Sequence, residues 1–163
     1  MPKFLIWTLI GFAFLNTISV ANSIDWSQDA GNAQRTGSTT EDPLEPWTFQ
    51  WSFNGPDANG GTGNHLYDAP KEARTVTGNG NLYVPAGTQG LYALNLSNGT
   101  QIWHNTTTSF NATPAYDNGF VYAGGSDGRI YKIAAATGVS QSLNLGSPLN
   151  KAILIANEFV FAV

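Results

Sequence analysis

Ala73-Arg-Thr-Val-Thr-Gly-Asn-Gly-Asn-Leu-Tyr-Val84 and Ala112-Thr-Pro-Ala-Tyr-Asp-Asn-Gly-Phe-Val-Tyr-Ala123 lie 39 residues apart and share one pattern. Asn79, Gly80 and Tyr83 return as Asn118, Gly119 and Tyr122. The same offset carries Tyr92 to Tyr131, Leu94 to Ile133 and Gly99 to Gly138. A second step of equal length reaches Asn157, Val160 and Phe161. Three units in one ungapped register are the signature of a structural repeat.

Within a unit the pattern reads strand, turn, strand. Asn79-Gly80 and Asn118-Gly119 are hairpin turns, because Asn and Gly tolerate the positive φ that tight turns demand. Leu82 to Ala86 and Phe120 to Ala123 are short apolar strands. Leu91 to Leu96 and Ile130 to Ile133 follow, closed by the turns Ser97-Asn-Gly99 and Ala136-Thr-Gly138. Thr100 to His104 supplies a fourth strand. After Ile24, Gly interrupts too often for a helical repeat to hold its 3.6-residue period. Four short strands in about 40 residues make one blade of an all-β propeller of four-stranded antiparallel sheets.

Composition agrees. Charged residues are only 11% of the 163, and Gly (18 residues) and aromatics (12%) are plentiful. A net charge of −4 with no Lys/Arg run gives no basic stripe for phosphates, so no nucleic-acid partner is expected. The absence of Cys removes disulfides, thiolate metal sites and a Cys nucleophile from this chain. No nucleophile–base pair can be placed. No catalytic residue is assigned. His65 and its carboxylate neighbours have no recognised ligand spacing, so no metal site is assigned either.

The chain opens with Lys3 and an apolar run from Phe4 to Leu15, followed by the small residues Ser19, Ala21 and Ser23. That arrangement reads as a secretory signal peptide over residues 1–23. An uncleaved anchor is the alternative, but the run falls well short of the roughly 20 residues a span requires. The mature chain is therefore expected to lie outside the cytoplasm, secreted or periplasmic, with no transmembrane span.

Gly90-Leu-Tyr-Ala-Leu-Asn-Leu-Ser-Asn-Gly-Thr-Gln-Ile-Trp103 resembles the blade motif of the pyrroloquinoline-quinone-type (PQQ-like) repeat family. Ala93, Leu94, Asn95, Gly99 and Trp103 match the family pattern, with Asn in place of Asp. The second copy keeps Thr137-Gly138 but has Ser142 where the Trp would fall. Asp25 to Gly37 is similar to the leader that often precedes the first blade. The resemblance implies a propeller and a blade-packing role for Trp103, with Trp51 in the same role one strand set earlier. It orders the chain as leader and outer strand over 24–53, an inserted loop over 54–72 and repeats over 73–163. These make about two and a fraction blades, so a fragment of a longer propeller is expected.

From Trp51 to Ala73 there are 22 residues, against 9 from Trp103 to Ala112. The extra length gathers His65, Asp68, Lys71 and Glu72, with Arg74 just inside the next strand. Loops of this kind display function on rigid scaffolds, although a plain polar connection has the same look. These five residues are the candidate ligand- or partner-binding set, the partner being a protein or a carbohydrate. His104, beside Trp103, is expected to face solvent. Asn95, Asn98, Asn105 and Asn111 begin four formal N-glycosylation acceptors.

The function these readings favour is a secreted binding or scaffold module, non-enzymatic in this segment. The alternative is the N-terminal part of a quinone-dependent alcohol or sugar dehydrogenase, for which the resemblance implies pyrroloquinoline quinone and Ca²⁺. Mass spectrometry of the exported protein is expected to find an N-terminus at Asn22 or Ile24. A mature protein beginning at Met1 or Pro2 contradicts the signal peptide.

Overall fold

The computed structural model describes residues 25–38, 46, 48–53 and 70–162. The signal segment, most of the 54–72 loop and part of the 24–53 leader lie outside the described residues. Two four-stranded antiparallel sheets and a hairpin follow one another along the chain. The first sheet is β1 (Val76–Gly78), β2 (Asn81–Pro85), β3 (Leu91–Asn95) and β4 (Gln101–Asn105). The second is β5 (Ala115–Asp117), β6 (Phe120–Gly124), β7 (Arg129–Ala134) and β8 (Ser140–Asn144). Then come β9 (Leu154–Ala156) and β10 (Phe159–Phe161). Each sheet keeps its strands in chain order, the meander of a propeller blade. No helix among the described residues is long and apolar enough to cross a membrane.

The 39-residue offset is a spatial identity. Tyr83 pairs with Val76 and Ala93, while Tyr122 pairs with Ala115 and Lys132. All three positions are displaced by one repeat. The turns follow the same rule. Asn79 and Gly80 have φ of 52° and 73°, and Asn118 and Gly119 have 44° and 81°. Positive φ at both central residues is the geometry that matches the right-handed twist of the flanking strands.

The core forms where one blade lies on the next. Tyr83, Leu91, Ala93 and Trp103 of the first blade meet Val121, Ala123, Tyr131 and Ile133 of the second. Strand alternation sends the other face of the first blade (Val84, Tyr92, Leu94) against Trp51 and Phe53. The Trp103 indole N–H donates to the Ala135 carbonyl at 2.7 Å, and its ring covers Gly138. Trp51 does the same one blade earlier. It donates to the Leu96 carbonyl at 3.0 Å and covers Gly99. Leu96 and Ala135, like Gly99 and Gly138, are one repeat apart.

The fourth strand departs from the ungapped register. In the first blade Ala93 pairs with Trp103 but Leu94 pairs with Gln101, so Ile102 is an extra residue in a β-bulge. In the second blade Lys132 pairs with Gln141 and Ile133 with Ser140, without interruption. Gln141, rather than Ser142, therefore stands opposite the counterpart of Ala93. A bulge re-aims the residues beyond it, and here it turns Trp103 onto the second blade.

The third hairpin repeats the turn with one defect. Asn157 has φ 49°, and Glu158, at φ 69°, occupies the place of Gly80 and Gly119. Left-handed backbone costs a residue with a Cβ roughly 1–2 kcal/mol. Replacing Glu158 with Gly is expected to raise stability against urea by about 1 kcal/mol, and Gly119→Glu is expected to cost about as much. An E158G chain no more stable than the parent contradicts the strain.

Candidate functional site

The connections that enter β1, β5 and β9 meet at one end of the blades. Each begins an inner strand, and β5 lies beside both β1 and β9. The leader, residues 25–38, crosses them. Its next residues turn tightly, with Ala30 at φ 57° and Gly31 at φ 86°. Gly31 lies against the Trp26 ring, so this turn is folded on its own aromatic residue.

Two hollows flank the leader and share Asp29. One, of about 430 Å³, is lined by Trp26, Asp29, Ala30, Arg74, Thr75 and Thr77. The other, of about 400 Å³, is lined by Asp29, Arg35, Glu72, Asn150, Lys151 and Ala152. Arg35 pairs with Asp29 at 3.2 Å, and Lys151 with Glu72 at 3.1 Å. The second pair ties the connection before the first blade to the one before the third. Both pairs are open to water, where such bonds contribute little to stability. Their consequence is a mouth of mixed charge, with Arg74 as a further exposed cation beside them.

The sequence-derived set is divided by the structure. Glu72 and Arg74 line these hollows. Lys71 is exposed and lines neither. His65 and Asp68 lie outside the described residues. The Arg74 backbone N–H donates to the hydroxyl of buried Thr113, its counterpart one repeat on, at 2.9 Å. Asp29, Arg35 and Lys151 were missed. Lys151 had a readable signal, since the two earlier units carry Ala73 and Ala112 at its position.

His104 keeps partial exposure but is not free of the blade. It is half-buried, its Nε2 bonds to the Gln89 carbonyl at an exposed position, and its ring stacks on Tyr92 with centroids 3.8 Å apart and planes at 10°. Tyr92 is buried, and its hydroxyl has no hydrogen-bond partner among the described residues. Its counterpart Tyr131 donates to Asp127 at 2.6 Å. Burial raises the Tyr92 hydroxyl. Burial, then the bond to Asp127, pushes Tyr131 up to about 12. Burial likewise pushes Tyr83 up to about 12. All three are neutral phenols at physiological pH, suited to packing rather than to acid–base work.

The four glycosylation acceptors are presented unequally. Asn98 is exposed, and its side chain accepts from Thr100 N–H at 3.0 Å. Asn95 and Asn111 are half-buried. Asn105 is buried at 8% exposure and accepts from Thr107 N–H at 3.0 Å, so the fold does not present its amide to solvent.

The quinone and Ca²⁺ implied by the resemblance would need a converging donor set. Ca²⁺ takes 6–8 oxygen ligands, yet no three His, Cys, Asp or Glu side chains converge among the described residues. The leader bonds to the channel-side backbone of all three inner strands. The described residues do not fit that group.

Stacked four-stranded meanders at a 39-residue spacing define a β-propeller of the PQQ-like repeat class. The chain belongs to the family described as outer membrane protein assembly factor BamB, whose model matches residues 25–141. Solved structures agree on the fold. Quinohemoprotein alcohol dehydrogenase ADHIIG from Pseudomonas putida HK5 superposes with a TM-score of 0.63 at 20% identity, over 84% of this chain and 22% of that one. The quinohemoprotein alcohol dehydrogenase of Comamonas testosteroni gives 0.60 at 23% identity, over 78% and 20%. BamB from Moraxella catarrhalis gives 0.49 at 22%, over 54% and 29%. The chain thus spans less than a third of each of these proteins. No curated protein matches it.

Proposed function

We propose that this chain is part of an extracytoplasmic propeller that binds a protein partner through the charged mouth where its inner strands begin. The observation that carries this reading is the cluster of Asp29, Arg35, Glu72, Arg74 and Lys151 around two adjoining hollows. Three cations and two carboxylates, held by connections from separate repeats, match a polar peptide surface better than a small apolar ligand. The family supports the reading, because its description is of an assembly factor. Secretion rests on the signal segment at residues 1–23. The dehydrogenase alternative finds no donor set among the described residues.

His65, Asp68 and Lys71 are further candidates for partner contact on the sequence argument alone. A carbohydrate partner is the weaker choice, because sugar sites favour stacked aromatic faces and the hollows offer only Trp26. A photo-crosslinking residue at Arg74 in the exported protein is expected to capture a protein, and one at Asn118, on a distant turn, is not. The Arg35→Ala, Lys151→Ala double variant should reduce that crosslink about tenfold, while stability changes by less than about 0.5 kcal/mol per substitution. Equal crosslinking at both positions, or no effect of the double variant, contradicts the proposal.

A further inference from the structure

The inner strand of each blade is an edge strand whose second face of peptide groups looks into the channel. In β1 the residue pair flanking the turn is Gly78 and Asn81, so the middle residue, Thr77, directs its N–H and C=O away from β2. Tyr116 in β5 and Ile155 in β9 are its counterparts at the same offset. Peptide groups left open on an edge are costly when buried and adhesive when exposed.

The leader accepts from all three N–H groups in sequence. Thr77 N–H donates to the Trp26 carbonyl at 2.7 Å, and Trp26 N–H donates to the Thr77 hydroxyl at 2.6 Å. Tyr116 N–H donates to the Ser27 carbonyl at 2.7 Å. At the third strand a side chain takes over. Ile155 N–H donates to Gln28 Oε1 at 2.9 Å, and Gln28 Nε2 donates to the Ile155 carbonyl at 3.3 Å. A carboxamide carries the donor and acceptor of a peptide group, and Gln28 is buried, as a docked group would be. Three consecutive leader residues thus engage three blades, one each.

We propose that the channel-side edges of β1, β5 and β9 form a binding site for an extended peptide with a carboxamide side chain at its third contact, and that Trp26-Ser27-Gln28 fills this site in cis. The site reads backbone at the first two blades and side-chain chemistry at the third. Its occupant closes three open strand edges and ties three blades together without a disulfide. The site adjoins the charged mouth, since Trp26 and Thr77 also line one of its two hollows.

Amide hydrogen exchange on the full chain tests this directly. In the parent protein, Thr77, Tyr116 and Ile155 are expected to be protected, although each faces the channel. Gln28→Met keeps the length and removes both bonds. It should speed exchange at Ile155 about fivefold to tenfold, the effect of one lost hydrogen bond on a local opening. Thr77 and Tyr116 should stay slow. Free-edge exchange rates at all three amides in the parent overturn the proposal. So does an unchanged Ile155 in Q28M, or a uniform acceleration that includes Thr77 and Tyr116.

Discussion

A tryptophan clamped across two blades sets the geometry on which everything else rests. The Trp103 indole is fixed at its nitrogen by the Ala135 carbonyl and at its face by Gly138. A Cβ on Gly138 would come within 2.8 Å of the ring, and its φ of 75° already favours glycine. The clamp therefore needs the residue that the turn also needs. Tyr83 extends it, stacking on Trp103 at 5.9 Å and on Tyr116 of the next blade at 5.8 Å. Gly78 leaves the space that the Tyr116 ring takes. Burying a large ring in this way combines apolar area with one directional bond, so it fixes orientation as well as contact.

The clamp is made twice among the described residues. Trp51 and Trp103 make it, but the second blade has Lys132 and Gln141 where the first has Ala93 and Trp103. A hollow of about 250 Å³ remains there, lined in part by Tyr122, Lys132, Gln141 and Val160. Lys132 turns its ammonium over the Phe120 ring at 4.1 Å. Ile130 and Leu143 line the same hollow, so this side of the second blade mixes apolar side chains with Lys132 and Gln141. Different blade faces in one repeat array can differ this far because each contacts only its neighbours.

Much of the fold was legible because the repeat and its turns are local. Asn79-Gly80 and Asn118-Gly119 announce hairpins by residue type alone, and the 39-residue offset then places every strand. The bulge at Ile102 was not legible. A single extra residue in one ladder leaves no trace in composition, and the ungapped alignment hid it. The candidate site was legible only in part. Glu72 and Arg74 stood near a conspicuous insertion. Asp29 and Arg35 belong to a leader whose placement depends on backbone bonds to residues 51 or more positions away. The stacking of His104 was not legible because Tyr92 lies across a strand pair, not beside it in sequence.

The central claim is that the Trp–Gly clamp, rather than general apolar burial, joins the blades. A double-mutant cycle between Trp103→Ala and Gly138→Ala, followed by urea denaturation of the full chain, measures it most directly. Gly138→Ala alone carries both the left-handed strain and the collision with the indole. In the W103A background only the strain remains. The two substitutions should therefore couple by about 1–3 kcal/mol, the double variant being more stable than the sum of the singles predicts. Additivity within about 0.5 kcal/mol would contradict the clamp and return the interface to undirected packing.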